Sequence, residues 1–137
     1  MVYGPLSTLD REGYGRSRPR SGRTPQRAAE DWARVHWPTS PFDLWRAVAH
    51  AGWEVHLRPL RALEGGVEAY TVPSEKCGFT FVVDPRVTDT ATVEFRLAHE
   101  VGHTLFYRPG HPPTRSRPPS LAEEAFCDAF AAALLAF

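Results

Sequence analysis

The pattern of polar and apolar positions in the first half of the chain predicts two helices. Thr24 and Ser40 are each followed by a proline, and a capping hydroxyl before proline is typical of the first turn of a helix. We therefore predict one helix from Thr24 through His36 and a second over about 41–51, whose apolar residues share one face. Gly52 stands where a C-terminal cap belongs.

Short extended stretches separated by turn signals occupy the middle of the chain. Residues 53–60 alternate in part, residues 67–72 follow a Glu-Gly-Gly turn signal, and residues 78–84 are rich in β-branched and aromatic side chains. These patterns predict about three strands in a small, mostly antiparallel sheet.

Two further helices are predicted in the last third of the chain. The third helix begins near Thr90 or Thr92 and runs to about Tyr107, where a proline and a glycine break it. A proline-rich stretch follows. Ser120 and Glu123 then form the S-x-x-E capping pattern of a fourth helix, which is rich in alanine and leucine to its end.

Length and composition are those of one packed domain. The chain has 137 residues, of which 42% are hydrophobic, so it can bury the core of a single domain but not of two. Residues 1–23 are rich in glycine, serine, proline and arginine and show no periodicity. We expect a disordered, arginine-rich tail at 1–23 and one α+β domain at 24–137.

The charge balance and the cysteines bear on partners and compartment. Sixteen basic and sixteen acidic residues cancel, so no net field draws the chain to nucleic acid or to a membrane. No apolar run approaches the ~20 residues of a membrane span, and the N-terminus has no secretory signal pattern. Cys77 and Cys127 stand outside any C-x-x-C arrangement, which favours two reduced thiols. We expect a cytoplasmic protein.

Two of the six histidines stand on the third predicted helix in the sequence HEVGH, an HExxH pattern. His99 and His103 are four residues apart and leave the same face one turn from each other, so both imidazoles can reach one tetrahedral ion. Glu100 lies about a hundred degrees round the helix. It is poorly placed as a ligand but near enough to take a proton from a water in the site and pass it on. Apolar residues that can pack on the sheet occupy the opposite side of the helix: Val93, Leu97, Val101 and Leu105.

A third metal ligand is predicted on the last helix, because catalytic zinc takes three protein ligands and keeps one position open. Glu124 and Asp128 are again four residues apart, and Glu124 follows His103 by 21 residues, enough for a turn and a return. We predict Glu124 as the third ligand of one zinc ion per chain, with Asp128 accepting the second ring N–H of His99. The alternative is the acidic enrichment that the helix dipole favours in first turns. It accounts for Glu123 but not for acidic residues further along a helix of alanine, leucine and phenylalanine.

These motifs resemble those of the ImmA/IrrE family of small zinc metallopeptidases. The resemblance rests on EFRLAHEVGHTLF at 94–106 and on EAFCDAFAAALL at 124–135. The helix–glycine–strand opening SPFDLWRAVAHAGWEVHL at 40–57 is similar to that of the family with lower specificity. The match covers roughly residues 40–135.

The resemblance implies a fold, a site and an activity. The fold is a zincin-like minimal domain, in which a small sheet packs on the HExxH helix and on a C-terminal ligand-bearing helix. The site is gluzincin-like, with His99 and His103 as zinc ligands, Glu100 as the catalytic carboxylate and Glu124 as the third ligand. The activity is that of an intracellular zinc endopeptidase that cleaves a helix-turn-helix transcriptional repressor in trans, in a stress response or in the control of mobile elements.

Two alternatives to this function stay open. Relatives usually continue past the Ala-Leu-Leu ending with a proline and further helices, whereas this sequence ends at Phe137. One alternative is therefore a catalytically weak, zinc-containing regulatory module that binds a repressor or another protein without cutting it. Nucleic-acid binding through the arginine-rich tail is the other. The donor that stabilises an oxyanion also stays open among Tyr70, Tyr107 and His111.

Overall fold

The computed structural model describes Pro19 and residues 22–60, 68–76, 78–86 and 89–137. Within these ranges the chain forms four helices and one three-stranded sheet, which agrees with the predicted α+β class. The elements in chain order are α1 (Pro25–His36), α2 (Leu44–His50), β1 (Glu54–Leu57), β2 (Ala69–Ser74), β3 (Gly78–Val83), α3 (Thr90–Thr104) and α4 (Leu121–Leu135). None of these helices has the length and apolar character needed to cross a membrane.

The predicted tail at 1–23 falls almost entirely outside the described residues, as does Cys77. Its last residue, Arg23, is described and pairs with the first helix: Arg23 Nε lies 2.7 Å from Asp31 Oδ2. Arg23 is thus in contact with α1.

Side-chain caps determine where the helices begin. Thr24 and Ser120 cap α1 and α4 with their hydroxyl oxygens, as the sequence predicts. The predicted start of α2 was wrong by about three residues, because the carboxylate of Asp43 accepts a backbone N–H of the first turn and caps the helix there. The regular part of α3 ends at Thr104, before the predicted end near Tyr107.

The sheet has the strand order β1-β3-β2, so β3 is central. β2 pairs with β3 antiparallel, whereas β1 pairs with β3 parallel. The sheet is therefore mixed, and the prediction of a mostly antiparallel sheet is wrong for one of its two pairings. A strand's own pattern reports which face is buried, but not the direction of its neighbour.

The core lies where the sheet, α3, α4 and α1 meet. Phe81 of β3 and Phe130 of α4 are among its fully buried side chains. The face of α3 that was predicted to be buried does contribute to this core, with Leu97 and Val101 fully buried and Val93 and Leu105 packed against them. The other side of α3, which carries the histidines, faces α4.

Gly102 allows α3 and α4 to approach closely. A Cβ atom at this position would lie 3.1 Å from the Sγ atom of Cys127 and 3.2 Å from Cδ1 of Phe130. Both distances are shorter than ordinary van der Waals contact, and both neighbours are fully buried. The glycine therefore sets the spacing of the two helices that carry the predicted site.

Gly102→Ala is expected to lower the free energy of unfolding by about 1–3 kcal/mol, because the added methyl overpacks this contact. Urea denaturation of the variant and of the parent protein measures the difference. A free energy of unfolding equal to that of the parent would show that the neighbouring side chains move aside without cost, and that the spacing does not depend on the glycine.

Candidate metal centre and cleft

Helices α3 and α4 bring three potential metal-ligand atoms together. His99 Nε2 lies 2.8 Å from Glu124 Oε1 and 3.2 Å from His103 Nε2. His103 Nε2 lies 3.4 Å from the same Glu124 oxygen. The HExxH spacing supplies the two imidazoles from one face of α3, and the first turn of α4 supplies the carboxylate. Three donor atoms predicted from the sequence thus form one small triangle.

The triangle has the dimensions and chemistry of a site for a divalent metal ion. Ligand atoms that are ~2.0–2.1 Å from a tetrahedral zinc ion lie roughly 3.3–3.4 Å from one another. Two of the separations, 3.2 and 3.4 Å, match this value, whereas the 2.8 Å between His99 Nε2 and Glu124 Oε1 is a hydrogen-bond distance. Two neutral imidazole nitrogens and one carboxylate oxygen form a donor set that zinc prefers, with room for a fourth ligand.

The second ring nitrogen of each histidine, Nδ1, also contacts a carboxylate. Asp128 Oδ1 lies 2.8 Å from His99 Nδ1, which is the contact predicted for Asp128. Glu123 Oε2 lies 2.6 Å from His103 Nδ1. An acceptor at Nδ1 keeps the proton on that atom and leaves the Nε2 lone pair for a metal. Both imidazoles are therefore oriented with Nε2 toward the triangle.

Glu123 has a role that the sequence interpretation missed. Its side chain is 1% exposed, and its carboxylate binds His103 and also accepts two hydrogen bonds from Arg115, one of them at 2.7 Å. The carboxylate of the predicted capping pair thus bonds two side chains in the interior, although Ser120 does cap the helix. The sequence does hold one signal of this role: Glu123 is an acidic residue next to a predicted ligand, on a helix that is otherwise apolar. Nothing in the spacing points to Arg115.

The buried pair of His103 and Glu123 has shifted pKa values. Burial alone would lower the pKa of His103, but the hydrogen bond to Glu123 and the surrounding carboxylates raise it above the usual value. Burial alone would raise the pKa of Glu123, but the hydrogen bonds from Arg115 and His103 lower it below the usual value. Burial opposes both shifts, and specific hydrogen-bonded partners cause them.

Glu100 is held beside the triangle by the sheet. It is buried, and Thr71 Oγ1 of β2 donates a hydrogen bond to Glu100 Oε1 at 2.7 Å. The same hydroxyl lies 3.3 Å from the backbone oxygen of Glu100. The contact joins residues 29 positions apart, so local sequence patterns do not reveal Thr71. Glu100 therefore presents a carboxylate of fixed position, with one oxygen already hydrogen-bonded.

Cys127 is a second potential partner for the two histidines, because its Sγ atom lies within 4.8 Å of a nitrogen of each. A thiol binds a metal as the thiolate. Burial and the nearby carboxylates raise the pKa of Cys127 far above its usual value. Its sulfur also packs against Gly102, and the side chain is fully buried. Cys127 and Glu124 thus both place a potential donor atom near the two histidines, and Glu124 Oε1 lies within 3.4 Å of both Nε2 atoms.

A cleft of about 600 Å³ opens over the triangle and is mixed in charge. Tyr70 and Tyr107, two of the three candidate oxyanion donors, line it; His111 is not among its lining residues. Burial raises the pKa of Tyr107, so this hydroxyl keeps its proton and can donate it in a hydrogen bond. The residues around the metal triangle line the same cleft: His99, Glu100, His103, Glu124 and Asp128.

Comparison of the chain with protein-family models, with curated proteins and with solved structures finds no match in any of the three.

Proposed function

We propose that this protein is a zinc-dependent endopeptidase of the ImmA/IrrE type, acting in the cytoplasm on a protein substrate. In this proposal His99, His103 and Glu124 hold one zinc ion, and Glu100 is the catalytic carboxylate. The observation that carries it is the meeting of His99 Nε2, His103 Nε2 and Glu124 Oε1 at the floor of an open cleft that Glu100 also lines.

Zinc in this site would supply a Lewis acid for the carbonyl group of the scissile bond. The protein's own residues handle the proton. Thr71 occupies Oε1 of Glu100, so Oε2 can accept a proton from the attacking water and deliver it to the leaving amine. Tyr107 lines the cleft, so its hydroxyl is a candidate donor to the oxyanion. The hydroxyl of Tyr70 instead accepts a hydrogen bond from Arg58.

The edge of the sheet supports a peptide as the substrate. Glu68 O accepts a hydrogen bond from Asp84 N at 2.9 Å, which fixes the alternation of the β2–β3 ladder. In that alternation the backbone N–H and C=O groups of Ala69 and Thr71 point away from β3. Both residues line the cleft, so an extended peptide can add to this edge and bring its backbone across the triangle.

The proposal that the substrate is a helix-turn-helix repressor rests on the resemblance of α3 and α4 to the ImmA/IrrE motifs.

The test combines two experiments. One is metal analysis of protein purified without chelator, and the other is incubation of the protein with a repressor encoded by a neighbouring gene. We expect about one zinc ion per chain, and new N-termini in the repressor, detected by mass spectrometry, that disappear with chelator. Protein without any divalent metal contradicts the proposal. Binding of the repressor without cleavage would instead favour the regulatory module.

Asp128→Asn is expected to weaken zinc binding about tenfold, the low end of the effect of losing a partner of a ligating histidine. Asp128 is 63% exposed, so water can partly replace the lost charge at His99 Nδ1. The fold should persist. Competition with a chromophoric chelator measures the zinc dissociation constant. An unchanged constant would mean that Asp128 is only a polar residue on the surface of α4.

A further inference from the structure

A second set of charged groups lies beside the triangle: Glu123 is enclosed, whereas Arg115 and His103 also line the cleft. Glu123 is 1% exposed, His103 8% and Arg115 16%, measured on the side chains. Both oxygens of Glu123 are engaged, since Oε1 accepts from Arg115 Nη2 and Oε2 accepts from Arg115 Nη1 at 2.7 Å and from His103 Nδ1 at 2.6 Å. Arg115, Glu123 and His103 thus form one continuous hydrogen-bonded chain that ends at a predicted ligand.

Arg115 is itself held in place by the segment between α3 and α4. The backbones of Arg108 and Thr114 form a bridge, with N–O distances of 2.6 and 3.1 Å, which fixes the residue just before Arg115. Arg115 Nε donates to the backbone oxygen of Arg117, and its guanidinium lies 5.3 Å from the centre of the Tyr107 ring. The position of the guanidinium is therefore set by loop backbone and by the end of α3.

The two histidines differ in the solvent exposure of the carboxylate that binds Nδ1. Asp128, which binds His99, is 63% exposed and therefore open to solvent. Glu123, which binds His103, is 1% exposed, so Arg115 and His103 are the partners that offset the burial of its charge. A carboxylate that loses the two hydrogen bonds from Arg115 is no longer fixed in orientation, so its hold on His103 Nδ1 is weakened.

We propose that Arg115 is a positioning residue for the metal centre: it fixes the carboxylate of Glu123, which fixes the ring of His103. This inference rests on the proposed metal site. The segment between α3 and α4 thereby controls the affinity of the site, and a contact that displaced Arg115 would loosen one ligand without touching the triangle. Lysine cannot replace the two-pronged contact, because its single ammonium reaches the carboxylate as a point charge.

The test compares Arg115→Met and Arg115→Lys with Arg108→Met, which removes an exposed arginine from the same segment. We expect zinc to bind at least about tenfold more weakly to R115M, an intermediate loss for R115K and no change for R108M. Circular dichroism checks that each variant folds. If R115M does not fold, R115K carries the comparison, and an affinity equal to that of the parent overturns the proposal.

The NMR resonance of the His103 Nδ1 proton distinguishes the positioning role of Arg115 from a contribution to overall stability alone. In the parent protein, with and without zinc, this buried hydrogen bond should protect the proton from exchange with solvent. R115M should lose that protection while the amide spectrum of the core is unchanged. Retained protection together with parental zinc affinity rejects the positioning role. A parent that shows the protected proton but binds no zinc rejects the proposed metal site, and loss of protection in R115M then still supports the hold of Arg115 on His103.

Discussion

Replacement of Glu100 by glutamine is expected to lower kcat for peptide cleavage by about 10²–10⁴-fold, the usual contribution of a general acid–base group. The amide has the size of the carboxylate, and its oxygen can still accept the hydrogen bond from Thr71. It cannot accept a proton from the attacking water. The change therefore removes the chemistry while it leaves the contacts of the side chain in place.

Zinc content and the free energy of unfolding distinguish this result from loss of the site. Both should match the parent, since Glu100 is not one of the three donors in the triangle. The matched control is Glu94→Gln on the same helix, whose carboxylate accepts a hydrogen bond from Trp45 Nε1 outside the cleft. We expect the control to cleave like the parent. Cleavage by Glu100→Gln at the parental rate would exclude Glu100 as the base.

The parts of the site that were foreseen all follow from the geometry of single helices. Residues four apart share a face of a helix, so the pairing of His99 with His103 and of Glu124 with Asp128 follows from the spacing alone. The structure brings these two pairs to the same place. Helix existence was also foreseen, because proline, glycine and capping residues act within a few positions.

What was missed depends on contacts between distant parts of the chain. Thr71 reaches Glu100 from a strand, and Arg115 reaches Glu123 from a segment without regular structure. No local periodicity encodes such pairs. Glu123 was assigned to a cap because a glutamate in a first turn has a sufficient local reason to be there. The parallel pairing of β1 was missed for a related reason, since strand direction is a property of the whole sheet.

Removal of the proposed third donor by Glu124→Ala is expected to abolish tight zinc binding and with it the zinc-dependent part of the stability. An ion that binds only the folded state stabilises it by about 2.7 kcal/mol at a free concentration of 100 times its dissociation constant. The triangle links α3 to α4, so the parent should gain stability when zinc is added. The variant should show almost none of this gain. Without zinc its stability should be close to that of the parent, because the Glu124 side chain is 45% exposed.

The same measurement decides between Glu124 and Cys127 as the third donor. Cys127→Ala removes a buried sulfur, so we expect it to lower stability by an equal amount with and without zinc, while the gain from zinc persists. If the sulfur were the donor, the outcomes would be exchanged: Cys127→Ala would lose the gain, and Glu124→Ala would keep it. Denaturation of the three proteins in zinc and in chelator therefore tests the ligand set directly. We expect the carboxylate to be the donor because Glu124 Oε1 lies within 3.4 Å of both Nε2 atoms.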